Sequence, residues 1–110
     1  MNIKESQQGK VCTLVLEGRV DSNTSPVLES RLLTLIDSGK KDFLIDFNWV
    51  DYISSAGLRV LLMAAKKSKA MGGKVALCAL KDTVQEVFDL SGFTTIFPVF
   101  SSVDDAVRSF

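Results

Sequence analysis

The chain has 110 residues, 46% of them hydrophobic, with 13 basic against 13 acidic side chains and no histidine. That length supports one domain around a single core. Zero formal charge removes the electrostatic footprint of a nucleic-acid or anionic-membrane binder. The missing histidine takes away the commonest general base, together with every Ser-His or Cys-His nucleophile pair, so an enzyme is not expected.

Residues 2–7 and 11–18 read as two strands around the polar turn Gln7-Gln8-Gly9-Lys10, an antiparallel hairpin. Gly18-Arg19-Val20-Asp21 closes the second strand. In Ser22-Asn23-Thr24-Ser25-Pro26, Ser25 is placed to cap a helix whose first position is Pro26. Leu28, Leu32, Leu35 and Ile36 then recur at helical spacing up to about Ser38, and Gly39 stops the helix. Phe43-Leu44-Ile45-Asp46-Phe47 is a third strand. It hands over, through Asp51-Tyr52-Ile53-Ser54-Ser55, to the longest helical stretch, which runs to about Met71.

The first half of that helix is apolar almost all round, with Arg59 its one charge before Lys66. This means either deep burial or an apolar surface kept for a partner. Lys66, Lys67 and Lys69 suit the negative end of the helix dipole, and Gly72-Gly73 supplies a left-handed stop. Lys74 to Leu80 is a fourth strand. A short helix capped by Asp82 or Thr83 follows, with Val84, Val87, Phe88 and Leu90 turned inward, ended by Gly92. Ile96 to Phe100 is a fifth strand, confined to an edge by Pro98, and Ser102 with Asp104-Asp105 opens a last helix.

The pattern is α/β: one domain over residues 1–110, with a five-stranded mixed sheet, antiparallel in its N-terminal hairpin and otherwise largely parallel, and about four helices. Loops at the strand C-ends gather at one rim in such sheets, so Asp21 to Thr24 and Asp51 to Ser55 should share one. No run nears the roughly 18 apolar residues of a membrane span. Met1-Asn2-Ile3-Lys4-Glu5 lacks the apolar core of a signal peptide, so a cytoplasmic protein without membrane insertion is expected. Cys12 and Cys78, each among strand Val and Leu, read as buried reduced thiols, and two Cys without His give no metal spacing.

Few chemical motifs survive inspection. There is no Gly-x-Gly-x-x-Gly, and Gly72-Gly73-Lys74 lacks the rest of a nucleotide loop. Ile53 stands where a nucleophile elbow ending at Gly57 needs its first glycine. A phospho-aspartyl receiver is disfavoured by the opening hairpin and by an acidic pair that falls in the last helix. Asp21, Asp46 and Asp51 are explained by caps and turns, with Asp21 the best candidate for more because of its rim position. Ser54 and Ser55 either cap the long helix or hold a phosphate on its unpaired N–H groups, and no Glu or Gln completes a capping box.

Tyr52-Ile53-Ser54-Ser55-Ala56-Gly57-Leu58, Met71-Gly72-Gly73, Phe88 to Phe93 and Gly18-Arg19-Val20-Asp21 with Pro26 resemble the STAS domain, and within it the anti-sigma factor antagonists. The resemblance implies helices mainly on one face of the sheet and a phosphoacceptor at Ser55, two before the motif glycine. It places the family's acidic residue at Asp21. Ser54 stands where the family often has Asp, and Ala56 where it often has Ser or Thr.

The implied mechanism is partner switching. Asp21, Ser22, Asn23 and Thr24, with Ile53, Ser54, Ser55, Ala56, Gly57, Leu58 and Arg59, would bind an anti-sigma factor that is also a serine kinase. That kinase, using ATP and Mg²⁺, would modify Ser55, and a metal-dependent phosphatase would reverse the step. The chain itself would need no cofactor. Two other readings stay open: a regulatory subunit of a lipid or anion transporter, in which Ser55 is an unmodified contact, and a nucleotide sensor using Asp21, Ser22 and Thr24.

Overall fold

The computed structural model describes residues 1–110. Five strands, β1 (Asn2–Gln8), β2 (Val11–Glu17), β3 (Asp42–Trp49), β4 (Lys74–Cys78) and β5 (Val99–Phe100), lie side by side in chain order. β1 and β2 are antiparallel, and every later neighbour is parallel. Because the strands advance across the sheet in one direction and parallel crossovers are right-handed, each crossover helix must land on the same face. These helices are α1 (Ser25–Asp37), α2 (Ser55–Ala70) and α3 (Asp82–Leu90).

The main core confirms that arrangement. Leu14, Leu16, Phe43, Ile45, Phe47 and Leu77 project from alternate strand positions to meet Leu28 and Leu32, Leu61 and Ala64, and Phe88. Phe47, Phe88 and Phe97 stack edge to face, ring centroids 6.0 Å apart in each pair. The final helix, α4 (Val103–Arg108), follows the last strand and makes no crossover. It covers the opposite face, where Ala106 packs with Val11, Leu44, Ala76 and Cys78.

Five local expectations are corrected. The cap of α3 is Lys81, in extended backbone and without a side-chain hydrogen bond, and Asp82 is already the first helical residue. The cap of α1 is Thr24, and Pro26 sits one place further in. The Ser25 N–H already donates to the Asp21 carbonyl at 2.8 Å, so the helical turn begins earlier. Leu90 is 81% exposed. At roughly 100° per residue it points about 200° away from Phe88, off the buried stripe. β4 stops at Cys78, because Ala79 takes a left-handed φ of 59° and turns the chain. β5 is only two residues long: a 3₁₀ turn at Phe93–Thr95 keeps the chain curled until Phe97 is buried.

Two glycines are required by close approach. A Cβ on Gly73 would stand 2.1 Å from the Lys41 carbonyl oxygen, and one on Gly57 would stand 2.6 Å from Val20 Cγ1. Either contact is far inside van der Waals distance, so the first turn of α2 can seat against the 18–20 segment only with glycine there.

Candidate functional site

The site is the junction of β3 with α2 and the loop that leaves β2. Val20 and Ile53 form an isolated parallel bridge beyond the named strands. The Val20 N–H donates to the Tyr52 carbonyl at 2.9 Å, and the Ser54 N–H to the Val20 carbonyl at 2.8 Å. This extra rung ties the two rim loops together, so the 21–24 and 51–55 segments do share an edge.

At the helix start the two serines separate. Ser54, in extended backbone, is the cap, and its Oγ accepts the Gly57 N–H at 3.3 Å. The Leu58 N–H goes to the Ser54 carbonyl at 3.0 Å. Ser55 is the first helical residue and is exposed, and its hydroxyl enters no hydrogen bond within the chain. With Ser54 N–H and Gly57 N–H occupied, the N–H donors of Ser55 and Ala56 are left unpaired at the positive end of a 16-residue helix that has no acid in its first turn. That combination is a free nucleophilic oxygen beside open anion-binding donors.

Across the rim, Asp21 is held as an Asx turn. Its Oδ1 accepts the N–H groups of Asn23 and Thr24 at 3.0 Å each and faces the Thr24 hydroxyl at 3.2 Å. Its Oδ2 lies 3.7 Å from Arg19 Nε. The Thr24 N–H bond, foremost, holds the Asp21 carboxyl below its ordinary range, with the Asn23 N–H, the Thr24 hydroxyl and Arg19 acting in the same direction against desolvation. Asp21 therefore orders the loop whatever else it does. Ser22 and Asn23 stand exposed beside it, and Thr24 is half-buried.

The candidate residues divide by direction. Ser22, Asn23, Ser55 and Arg59 are exposed, and Asp21, Thr24, Ser54 and Ala56 are half-exposed. Ile53, Gly57 and Leu58 are buried and shape the rim from beneath. Ser22 and Ala56 also line a shallow groove with Pro26, Glu29 and Arg59, where the first turns of α1 and α2 meet. Asp46 lies apart on the α4 face, its Oδ1 accepting the Asn48 N–H at 2.9 Å, and Asp51 is exposed. No group of three or more His, Cys, Asp or Glu is placed to hold a metal.

Both thiols are buried. Burial pushes the Cys78 thiol up to about 12, helped by Asp46, and raises Cys12 as well. No helix is long and apolar enough to cross a membrane.

Sequence reasoning took Arg19 and Val20 only as strand closure and family motif, and passed over Trp49. Val20 works through its backbone rung to Ile53 and through a fully buried side chain against which Gly57 seats. Trp49 ends β3 and continues the inward alternation of Phe43, Ile45 and Phe47, yet it is 60% exposed, because it lies beyond the register shift between Val15 and Glu17.

The STAS domain family matches residues 2–106. A relative from Bordetella bronchiseptica, BtrV, named as a candidate anti-sigma factor antagonist, is 44% identical over 95 residues, covering 86% of this chain and 82% of its own. The anti-sigma-B factor antagonist of Bacillus subtilis is 27% identical over 108 residues, covering 98% of both chains. Among solved structures, the Bacillus anti-sigma factor antagonist SpoIIAA superposes in its unphosphorylated form with a TM-score of 0.85 at 19% identity, covering 99% of this chain and 98% of its own. Its phosphorylated form superposes with a TM-score of 0.77 at 17% identity, covering 98% of each chain.

Proposed function

The chain belongs to the STAS domain family, and we propose that it acts there as an anti-sigma factor antagonist switched by phosphorylation of Ser55. In the unphosphorylated state the rim binds an anti-sigma factor of the serine-kinase kind, and that factor releases its sigma factor. The kinase then turns on its captor. Ser55 Oγ attacks the γ-phosphorus of ATP, the bond to the β–γ bridging oxygen breaks, ADP leaves, and the hydroxyl proton passes to a base of the kinase. A metal-dependent phosphatase hydrolyses the ester and restores the binding form. The relatives' names support the partner class.

The observation that carries the reading is the division of labour between the serines: Ser54 caps, and Ser55 stays exposed with open donors beside it. A phosphate adds about −1.5 to −2 charges, which a helix N-terminus stabilises in the free protein. In a closed interface the same group must be desolvated on a rim that already holds the Asp21 carboxylate, at a cost of several kcal/mol unless it is paired. A loss of about 3 kcal/mol weakens binding more than a hundredfold.

The test is phosphate incorporation, followed by intact mass and fragmentation, with the kinase-type anti-sigma factor of the same organism, ATP and Mg²⁺. One phosphate should appear on the native chain and none on Ser55→Ala, which still binds the partner and is not released. Label retained by Ser55→Ala would move the acceptor elsewhere.

A further inference from the structure

The chain is neutral as a whole, yet its charges are segregated on the neighbouring helices α2 and α3. Asp82, Glu86 and Asp89 recur at helical spacing along the outer face of α3, with Leu90 beside them at 81% exposure. On α2, Leu62, Ala65, Lys66 and Lys69 form a single stripe. None of these acids and lysines enters an ion pair within the chain. The α2 stripe is one wall of a groove of about 550 Å³, and Ile96 and Pro98 form the other. The groove is open because β5 is short: it pairs with β4 only at Leu77 and Cys78, and Pro98 has no N–H to extend the ladder. Lys74, at the groove's end, is committed elsewhere, its Nζ donating to the Ser109 carbonyl at 2.8 Å.

The two stripes complement each other in charge and in spacing. Leu62 precedes Lys66 by four residues and Glu86 precedes Leu90 by four, a step of about 6 Å along either helix. Laid antiparallel with Leu90 over Leu62, the pair brings Glu86 to Lys66 and Asp82 to Lys69. Within one chain this cannot happen, because α2 and α3 both return across the same face of a parallel sheet and so run the same way. A two-fold axis perpendicular to the helices reverses α3 of a second copy and makes both contacts at once. Knob and groove are also neighbours on the surface, as an isologous contact requires: Thr95 N–H to the Gly92 carbonyl and Phe97 N–H to the Phe93 carbonyl keep the chain between them curled. We propose that the groove seats α3 of a second copy of this chain, in a symmetric dimer. Lys66 lies about 17 Å along α2 from Ser55, so both copies keep the rim open and the dimer does not depend on the reading of Ser55.

The experiment is sedimentation equilibrium of the purified full chain from micromolar to millimolar concentration. The mass should rise from that of one chain toward twice that value, and added salt should lower it. Lys66→Glu with Lys69→Glu, and separately Asp82→Lys with Glu86→Lys, should each leave the chain monomeric. Mixed in equal amounts, the two variants should pair again, because each groove then meets a stripe of opposite sign. Leu90→Ala should weaken self-association at least about tenfold, since one leucine is lost from each groove. All five side chains are exposed, so the fold survives their replacement. A native chain that stays monomeric at millimolar concentration overturns the proposal and leaves the groove to a different acidic partner. A dimer that both charge-reversed variants retain also overturns it, as does a mixture of the two that stays monomeric.

Discussion

At the scale of single residues, Asp21 shows how one carboxylate can serve order and charge together. Its folded-state acidity is strengthened chiefly by the Thr24 N–H, and a carboxyl more acidic when folded stabilises the fold only while it is ionised. That contribution is complete above the unfolded carboxyl value of about 3.9 and disappears as pH falls through the lower folded value. Asp21→Asn keeps an oxygen for the two N–H groups but loses the charge and the Arg19 contact. Its melting temperature should fall below that of the native chain at pH 7, with the gap closing as the pH is lowered past 4 toward 2. Scanning calorimetry across that range decides it. A gap that stays constant to the acid end would make the effect one of shape, with no role for ionisation. The thiols offer no comparable handle, because burial keeps Cys78 protonated at any physiological pH.

At the scale of elements, α2 raises the question of whether its apolar first half serves the core or a partner. Leu58 is 7% exposed and Leu61 fully buried, both inside the main core, while Arg59 between them is exposed. Leu58→Ala should therefore destabilise the protein by about 2–4 kcal/mol, the cost of a truncated core leucine, read from the urea midpoint. The fraction still folded should keep its partner affinity. An unchanged midpoint with lost affinity would put Leu58 on the interface.

The helical periodicity of Leu28 to Ile36, the hairpin around Gly9 and the edge position of the last strand were legible because each is a local pattern. The Val20–Ile53 rung was less so: the alternation of strands and helices places both loops on one rim, but no residue in either segment announces that particular pairing. The two-residue β5 escaped because the 3₁₀ turn that brings Phe97 into the core beside Phe88 reflects a contact between distant residues, whereas the exposure of Leu90 follows from helical periodicity relative to Phe88. The serine pair was legible as a site, while the assignment of cap and free hydroxyl needed the backbone of Ser54, whose φ of −94° and ψ of 171° place it just outside the helix.

At the scale of the whole molecule, the question is whether a switch of this kind needs the scaffold to move. Ser55 sits at the surface end of a helix seated by Gly57 against Val20, with Leu61 and Ala64 fixed in the core behind it. Nothing in that packing touches the hydroxyl. An added negative charge meets the positive end of a helix whose first turn carries no acid, a favourable interaction of about 0.3–1 kcal/mol. Ser55→Glu should thus raise the melting temperature of the free protein by roughly 1–6 °C while weakening binding to the anti-sigma factor. The two effects have opposite signs, and this separates a charge switch from damage: a variant that lost binding by misfolding would melt lower. Paired measurements of melting temperature and affinity, with amide NMR shifts confined to the 19–24 and 51–59 segments, would show a rigid scaffold. Lower stability together with shifts spread through β3 and α1 would mean that the phosphorylated state is a different conformation, and the partner would then be reading shape instead of charge.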